Sequence, residues 1–331
     1  MAEATLTKKD LKSDQEVRWC PGCGDYAILG CVQGVVAELG VPREKTVFVS
    51  GIGCSSRFPY YMNTYGLHSI HGRAPAFATG IKAANPDLSV WLVTGDGDGL
   101  SIGGNHMIHI LRRNLDVNIL LFNNEIYGLT KGQYSPTSRL GLKTKATPYG
   151  SLDNPFDPIG LALGAGATFV ARTIDTHMKH MAGVFRAAAA HKGTSFIEIF
   201  QNCVIFNDKV FDEVADKKVR DERTVDLVPG QPIVYGANGE KGLRIDGFNV
   251  EICEAADASV WNPSTQSSAP AMLFADIHRG GTLPTPIGIF RDVEAPLFEE
   301  GVHRQIDEVT AKRGPGKLEE LLYSGDIWTV A

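Results

Sequence analysis

Two groups of residues in this sequence have types and spacings that could do chemistry. One joins Gly95-Asp96-Gly97 to Asn123-Asn124, and the other contains Cys20 and Cys23. A carboxylate followed by a carboxamide offers the oxygen ligands that Mg²⁺ prefers. Two cysteines with two residues between them can hold part of a zinc site or form a redox disulfide. The sequence therefore predicts an oxygen-ligand site and a sulfur-ligand site.

Short apolar runs come directly before these polar residues and read as strands buried on both faces, as in a parallel sheet. They are Thr46–Val49, Val90–Val93, Val117–Phe122, Thr168–Val170 and Ser195–Ile199. Helical patterns lie among them at Tyr26–Leu39, Ala74–Ala84, Leu100–Arg113 and Thr176–His191. This alternation predicts an α/β fold, an open and mostly parallel sheet with helices on both faces.

The composition changes after about Val228, where glycine and proline become frequent. Helical patterns return only at Val302–Lys312 and Lys317–Tyr323. We therefore predict an α/β domain over residues 1–228, and over residues 229–331 a C-terminal extension of irregular and short-strand structure.

Charge and hydropathy narrow the function classes. The 331 residues carry a net charge of −6, which disfavours nucleic acid as a partner. No apolar run approaches the roughly 18 residues that a membrane span requires. The N-terminus lacks the apolar core of a signal peptide, so a cytoplasmic location is expected.

Three predicted strands end in polar, glycine-rich turns at residues 51–56, 95–99 and 123–128. In an open parallel sheet, ligands bind beyond the carboxyl ends of the strands. Glycines let the backbone approach a phosphate closely, and a helix beginning near Leu100 would present N–H groups to an anion. Asp96 would repel a phosphate unless a cation such as Mg²⁺ lies between them, and Asn124 could supply that cation with a further oxygen.

Each motif alone is weak, because Gly-Asp-Gly is commonly a tight turn and Asn-Asn an ordinary loop. Together, with the 25 residues from Asp98 to Phe122 between them, they resemble the fingerprint of thiamine diphosphate proteins. The resemblance implies Mg²⁺ bound by the Asp96 and Asn124 side chains and the Ile126 carbonyl. The residues expected around the cofactor are Ile52, Gly53, Cys54, Ser55, His71, Gly95, Gly97, Asp98, Gly128 and Leu129.

The positions of the remaining cysteines indicate whether Cys20 and Cys23 belong to a larger sulfur-ligand site. Cys54, in the first glycine-rich turn, and Cys203, after the Ser195 strand, are expected at the same sheet edge. Cys31 and Cys253 are expected in buried apolar positions. Four thiolates at one place would suit a zinc ion.

The sequence also resembles the β subunits of 2-oxoacid:ferredoxin oxidoreductases over roughly residues 15 to 210. The shared words are Trp19-Cys-Pro-Gly-Cys-Gly24, Gly51-Ile-Gly-Cys-Ser-Ser56, His71-Gly-Arg-Ala74, Gly95-Asp-Gly-Asp98, and Asn123-Asn124 with the run Ile126–Thr137. The resemblance implies a four-iron four-sulfur cluster on Cys20, Cys23, Cys54 and Cys203. On ligand count alone, zinc stays open.

The resemblance further implies an enzyme. In this family, thiamine attacks the keto carbon of a 2-oxoacid, carbon dioxide leaves, electrons pass singly through the cluster to ferredoxin, and coenzyme A takes the acyl group. The glutamate that activates thiamine comes from an α subunit. We therefore expect an αβ or (αβ)₂ assembly.

Two further residues receive roles from the resemblance. His71 is expected to face the cofactor, although a His-Gly-Arg word before a helix can also cap it at the surface. Lys131 is expected to choose the acid, although loop lysines are usually solvated. A cation at Lys131 favours 2-oxoglutarate, with pyruvate or a broader set of 2-oxoacids as the alternative.

Two other functions stay open at this stage. A thiamine-dependent decarboxylase or synthase without redox activity would keep the paired motifs but leave the four cysteines unexplained. A zinc-stabilised α/β interaction subunit would need no cofactor.

Overall fold

A computed structural model describes residues 6–277 and 281–330. The predicted extension is thus described apart from residues 278–280 and 331. The strands are β1 (Thr46–Ser50), β2 (Tyr65–His68), β3 (Ser89–Gly95), β4 (Val117–Asn123), β5 (Phe169–Ile174), β6 (Ser195–Phe200), β7 (Thr224–Leu227), β8 (Val234–Tyr235), β9 (Lys241–Asp246), β10 (Asn249–Glu254) and β11 (Thr285–Asp292). The helices are α1 (Asp25–Leu39), α2 (Ala74–Ala84), α3 (Asp96–Leu100), α4 (Gly104–Arg113), α5 (Pro158–Gly164), α6 (Met178–Ala190), α7 (Asp212–Ala215), α8 (Arg220–Arg223), α9 (Ala269–Ala275), α10 (Phe298–Arg313) and α11 (Leu318–Leu322).

An eight-stranded sheet organises the chain in the order β2-β1-β3-β4-β6-β5-β11-β7. Every neighbouring pair is parallel except β5 and β11. The predicted α/β fold with a mostly parallel sheet is thus confirmed. In the register, Gly95 lies opposite Phe122 and Asn123 lies opposite Phe200. Strands β3, β4 and β6 therefore end level with one another, and the residues that follow them meet.

The sheet separates two apolar cores, because alternate side chains of each strand point to opposite faces. Val49, Leu92 and Ile119 face one core with α2, α4, α5 and α9. Phe48 and Trp91 face the other with α1 and α6. Burial on both faces explains why these strands are almost continuously apolar in the sequence.

The prediction of one helix over Leu100–Arg113 is wrong. The structure has α3 and α4 with a turn between them, and Ser101 leaves the helical region at ψ −103°. The turn packs closely against Gly72: a Cβ on Gly103 would lie 2.5 Å from the Asp98 carbonyl oxygen and 3.0 Å from the Gly72 Cα. A side chain at this crossing would not fit, so tertiary contact breaks the helix.

The extension contributes to the main sheet. Its strand β11 lies between β5 and β7, and Trp261, Phe274 and Phe290 pack in the same core as the strands of the α/β domain. Strands β8, β9 and β10 form a separate antiparallel sheet. A boundary near Val228 stays a prediction, and the structure adds that the two segments share one core.

Helix α10 begins against the body of the protein and then leaves it. Its first turns are attached through Glu299, whose Oε1 accepts from the Asp116 N–H at 3.0 Å, and through His303, whose Nε2 lies 2.9 Å from the Ala83 carbonyl oxygen. Residues 304–330 are exposed throughout. Within the described part of the chain, no helix has the length and apolar character to cross a membrane.

Candidate functional site

A shallow depression lies at the carboxyl ends of the strands, where the three glycine-rich turns meet. Its lining residues are Ile52, Gly53, Cys54, Ser55, His71, Gly95, Asp96, Gly97, Asp98, Asn124, Ile126, Tyr127, Gly128, Leu129 and Thr130. All the residues that the sequence predicts around a cofactor are therefore brought together. The depression encloses about 40 Å³, far less than the ~300–1,000 Å³ typical of ligand pockets. A second surface would have to cover a bound cofactor.

Asp96 lies at the floor of the depression and is 2% exposed. Its Oδ2 accepts hydrogen bonds from the Ser135 hydroxyl and, at 2.7 Å, from the Thr137 hydroxyl. Burial raises the pKa of the Asp96 carboxyl, while those hydroxyls and the Gly97 and Asn124 N–H groups act to lower it. The carboxylate is thus buried and oriented by hydrogen bonds.

Asn124 lies beside Asp96 and is held from its nitrogen side. Its Nδ2 donates to the Gln201 Oε1 at 2.8 Å, and its Oδ1 accepts from the Ile126 N–H at 3.2 Å. The carboxamide oxygen, the Ile126 backbone and the Asp96 carboxylate border the same depression. Oxygen donors of these kinds suit a hard divalent cation such as Mg²⁺.

Asp98 joins the turns instead of facing outward. Its Oδ1 accepts from the backbone N–H groups of Ile52 at 3.1 Å and Gly72 at 2.8 Å, and its Oδ2 accepts from the Thr94 hydroxyl at 2.7 Å. A Cβ on Gly51 would lie 1.9 Å from the Asp98 Oδ2, so only glycine fits there. Asp98 therefore holds the first turn and the Gly72 turn in position.

His71 borders the depression beside Asp98. Its Nδ1 lies 2.7 Å from the Asp98 Oδ1, off the direction of a hydrogen bond, and its side chain is 39% exposed. The ring packs edge-on against Tyr127, with centroids 6.4 Å apart. The imidazole is thus held close to the depression, and the expectation that it faces a cofactor stays a prediction.

Tyr127 packs directly over the Gly-Asp-Gly turn. Its hydroxyl donates to the Gly97 carbonyl oxygen at 2.9 Å. A Cβ on Gly97 would lie 2.2 Å from the Tyr127 ring. The second glycine of the motif is therefore required for this packing as well as for the turn.

Four cysteines converge beside the third turn. A Cβ on Gly128 would lie 3.5 Å from the Cys203 sulfur and 3.6 Å from the Cys54 sulfur. Cys23 interacts electrostatically with Cys54 and Cys203, and Cys54 with Cys20. The Cys23 N–H donates to the Cys20 carbonyl at 3.0 Å, which closes the turn between those two. All four have free thiols.

Burial raises the pKa of two of these thiols, those of Cys23 and Cys54. It raises the pKa of Cys54 to about 12, with further increases from Asp25 and Cys203. Such thiols become thiolates when a cationic centre lies among them. Within residues 6–277 and 281–330, no three His, Cys, Asp or Glu side chains are grouped so as to hold a single metal ion.

The other two cysteines differ from each other. Cys31 is buried, as predicted. Cys253 is only half-buried, on strand β10, so the prediction of a buried position is wrong for it. Strand β10 belongs to the small antiparallel sheet, which leaves one of its faces open.

Lys131 lies on the rim and does not line the depression. It is exposed and adopts a positive φ of 75° within a turn in which its N–H donates to the Gly128 carbonyl oxygen at 3.0 Å. Leu129, on the same turn, is 44% exposed. Lys131 is thus an exposed neighbour of two residues that line the depression, Leu129 and Thr130.

Sequence reasoning missed four residues that hold the predicted site together: Ser135, Thr137, Tyr127 and Gln201. The first three fall inside the shared run after Asn124, and this was the signal that could have found them. Gln201 is a single residue after an apolar strand. Nothing in its neighbourhood indicates that it contacts both Asn124 and Cys23.

A larger cavity of about 480 Å³ lies behind Asn123. The buried carboxylate of Glu198 in its wall accepts two hydrogen bonds. The Arg172 Nε donates to the Glu198 Oε2 at 2.6 Å, and the Asn123 Nδ2 donates to the Glu198 Oε1 at 2.7 Å. This network packs strands β4, β5 and β6 together. We therefore place the candidate site in the shallow depression, where the oriented ligands are.

Known proteins share both the sequence and the fold of this chain. Residues 51–199 match the family described as thiamine pyrophosphate enzyme, C-terminal TPP binding domain. The chain is 53% identical over 329 residues to the 2-oxoglutarate oxidoreductase subunit KorB of Mycobacterium tuberculosis, covering 97% of this chain and 88% of that protein. It is 40% identical over 247 residues to the 2-oxoglutarate synthase subunit KorB of Methanothermobacter marburgensis, covering 72% and 82%.

A solved structure agrees over the whole chain. The 2-oxoglutarate:ferredoxin oxidoreductase from Magnetococcus marinus, with 2-oxoglutarate, coenzyme A and succinyl-CoA bound, matches with a TM-score of 0.76 and 34% identity, covering 97% of both chains. The predicted family is confirmed. With a thiamine-binding domain on a mostly parallel sheet and a KorB relative matched almost end to end, this chain belongs to the β subunits of 2-oxoacid:ferredoxin oxidoreductases.

Proposed function

We propose that this chain is the β subunit of a 2-oxoglutarate:ferredoxin oxidoreductase that binds thiamine diphosphate, Mg²⁺ and a four-iron four-sulfur cluster. The observation that carries the proposal is the meeting of two ligand sets at one turn. Gly128 borders the depression that holds Asp96 and Asn124, and the Cys54 and Cys203 sulfurs lie beside it.

The chemistry of the oxygen donors supports Mg²⁺. The carboxylate of Asp96 is buried, which disfavours its charged form, and a divalent cation beside it would supply an opposite charge. Asn124 and the Ile126 carbonyl would be the other protein ligands. Burial disfavours the charged form of a carboxylate, so burying Asp96 does not by itself stabilise the fold. A role in binding a cation would explain its position.

The spread of the cysteines supports a cluster over zinc. Zinc–sulfur bonds of about 2.3 Å would bring four thiolates to roughly 3.8 Å from one another. The described residues contain no such compact group. An iron–sulfur cluster spans a wider space and also uses four cysteine thiolates.

Thiamine diphosphate, when bound, supplies a nucleophilic carbon that attacks the keto carbon of the 2-oxoacid and accepts the electron pair released with carbon dioxide. The residues of this chain would hold and orient the cofactor and the cluster. Asp96 and Asn124 would fix the diphosphate through Mg²⁺, and the Cys54-Ser55 turn would keep the cluster beside the cofactor. Coenzyme A would then receive the acyl group, and ferredoxin the electrons.

An α subunit is needed to complete the site. The depression is shallow, and Ile70 and Ile102 are 65% and 54% exposed on the turns that border it. A partner surface would cover them and exclude water. The activating glutamate would come from that partner, in an αβ or (αβ)₂ assembly.

Lys131 supports 2-oxoglutarate as the substrate. The residue is exposed and directly follows Thr130, which lines the depression, so its ammonium group could meet the second carboxylate of that acid. Pyruvate, which lacks this carboxylate, would gain nothing from it. The relatives and the solved structure described above are also named for 2-oxoglutarate.

The test is to co-purify the chain with its α subunit and measure viologen reduction with coenzyme A and several 2-oxoacids. We expect activity that depends on coenzyme A and is greatest with 2-oxoglutarate, together with visible absorbance that dithionite bleaches. Zinc in place of iron, or no thiamine binding by calorimetry, would contradict the proposal. Decarboxylation without viologen reduction would favour a non-redox thiamine enzyme.

A further inference from the structure

Gln201 is a buried residue that contacts both ligand sets. It directly follows strand β6 and is 1% exposed. Its Oε1 accepts from the Asn124 Nδ2 at 2.8 Å, and its Nε2 donates to the Cys23 sulfur at 3.2 Å and to the Asn202 carbonyl oxygen at 2.6 Å. These partners fix the orientation of the amide, because a flipped amide would point its N–H groups at the Asn124 donor.

The contact with Asn124 determines which end of that carboxamide is available. Since the Asn124 nitrogen is held by Gln201, its oxygen must point the other way. A hydrogen bond of this kind to a metal ligand typically changes metal affinity by about 10- to 100-fold.

The contact with Cys23 acts on the sulfur. Reduction of a cluster adds negative charge that is shared by its sulfur ligands, and an N–H group aimed at a ligand sulfur stabilises that charge. Hydrogen bonds to the sulfurs are among the factors that set the reduction potential of iron–sulfur clusters. Donation from Gln201 would thus make the cluster easier to reduce.

We propose that Gln201 is a positioning residue that serves both halves of the site at once: it orients Asn124 for the metal and raises the reduction potential of the cluster through Cys23. The proposal rests on the function proposed above. The Gln201 side chain would couple the metal site and the cluster site, whose ligands come from separate parts of the sequence.

Two substitutions separate these roles in the complex with the α subunit. Gln201→Glu keeps an oxygen for the Asn124 nitrogen but replaces the donor that faces Cys23 with an acceptor. Gln201→Leu removes both contacts. Gln33→Leu is the matched control, because Gln33 is also a buried glutamine and donates from Nε2 to a backbone oxygen, that of Tyr61, at 3.2 Å.

The measurements are the midpoint potential of the cluster, by redox titration followed by electron paramagnetic resonance at pH 8, and the affinity for thiamine diphosphate with Mg²⁺, by calorimetry. We expect both Gln201 variants to have a more negative potential. Only Gln201→Leu should also bind the cofactor about 10- to 100-fold more weakly. Gln33→Leu should match the wild type in both.

An unchanged potential in Gln201→Glu would overturn the role at Cys23, and unchanged affinity in Gln201→Leu would overturn the role at Asn124. Failure of the proposed function is distinguishable, since it would appear in the wild type as no cluster signal or no cofactor binding.

Discussion

The oxygen side and the sulfur side of the site are built in different ways. Asp96 and Asn124 follow two neighbouring strands and are already oriented: the Thr137 hydroxyl donates to Asp96, and the Asn124 amide donates to the Gln201 oxygen. The cysteines come from Cys20-Cys23 before α1, from the turn after β1 and from the chain after β6, and burial raises the pKa of Cys23 and Cys54. The oxygen side is thus arranged by the protein, whereas the cysteines would become a set of thiolates only with the proposed cationic centre among them.

Asp96→Asn should have the largest effect. It removes the charge that would bind Mg²⁺ while keeping the shape, so we expect activity of the αβ complex to fall by at least about 100-fold. Calorimetry should detect no thiamine diphosphate binding, and the cluster signal should remain.

Stability provides the control for Asp96→Asn. Because burial raises the pKa of this carboxyl above its ordinary value, its charged form disfavours folding of the cofactor-free chain at neutral pH. The amide carries no such charge. The Tm without cofactor should therefore not fall, and a large fall would show that Asp96 acts mainly in folding.

Cys54→Ala should have the opposite effect to Asp96→Asn, with loss of the cluster and retention of cofactor binding. Loss of one of four thiolates should abolish the cluster absorbance and viologen reduction, while thiamine diphosphate with Mg²⁺ still binds. Cys253→Ala is the matched control, since Cys253 lies on β10 in the small antiparallel sheet. Retention of a full cluster signal in Cys54→Ala would contradict the assignment.

Thr137→Val tests how far the oxygen side depends on its hydroxyl donors. The change keeps the shape but removes the 2.7 Å hydrogen bond to Asp96. We expect Mg²⁺ affinity to weaken by about 10- to 100-fold, with the cluster potential unchanged. Thr310→Val, on the exposed part of α10, should leave the affinity as in the wild type.

Lys131→Ala should have the smallest effect, because the residue lies on the rim. We expect KM for 2-oxoglutarate to rise by about ten-fold, the loss of roughly one charge-assisted contact, while KM for 2-oxobutyrate changes little. Lys145→Ala, an exposed lysine on another loop, serves as control. Equal changes for both acids would refute a role in choosing the substrate.

The local pattern was sufficient for much of this protein. Apolar runs that end in Gly95-Asp96-Gly97 and Asn123-Asn124 identify strands and a sheet edge, because burial on both faces demands continuous apolar residues. Level strand ends then follow from parallel pairing. The depression accordingly contains every residue expected around the cofactor.

Other features depended on contacts between distant segments. The break between α3 and α4 comes from the packing of Gly103 on Gly72, and the strand β11 enters the sheet from far along the chain. The hydrophobic periodicity of the sequence predicts neither contact. A predicted helix over Leu100–Arg113 therefore failed although its apolar spacing was correct.

By itself the sequence determined the ligand types and the edge of the sheet at which they meet, since strand ends and glycine turns are local properties. Only the tertiary structure decided how those ligands are held. The hydroxyls of Ser135 and Thr137 on Asp96, and the amide of Gln201 between Asn124 and Cys23, are long-range contacts. Such contacts depend on the packing of distant segments: the shared run after Asn124 indicates that Ser135 and Thr137 matter but not what they contact, and nothing along the sequence indicates Gln201.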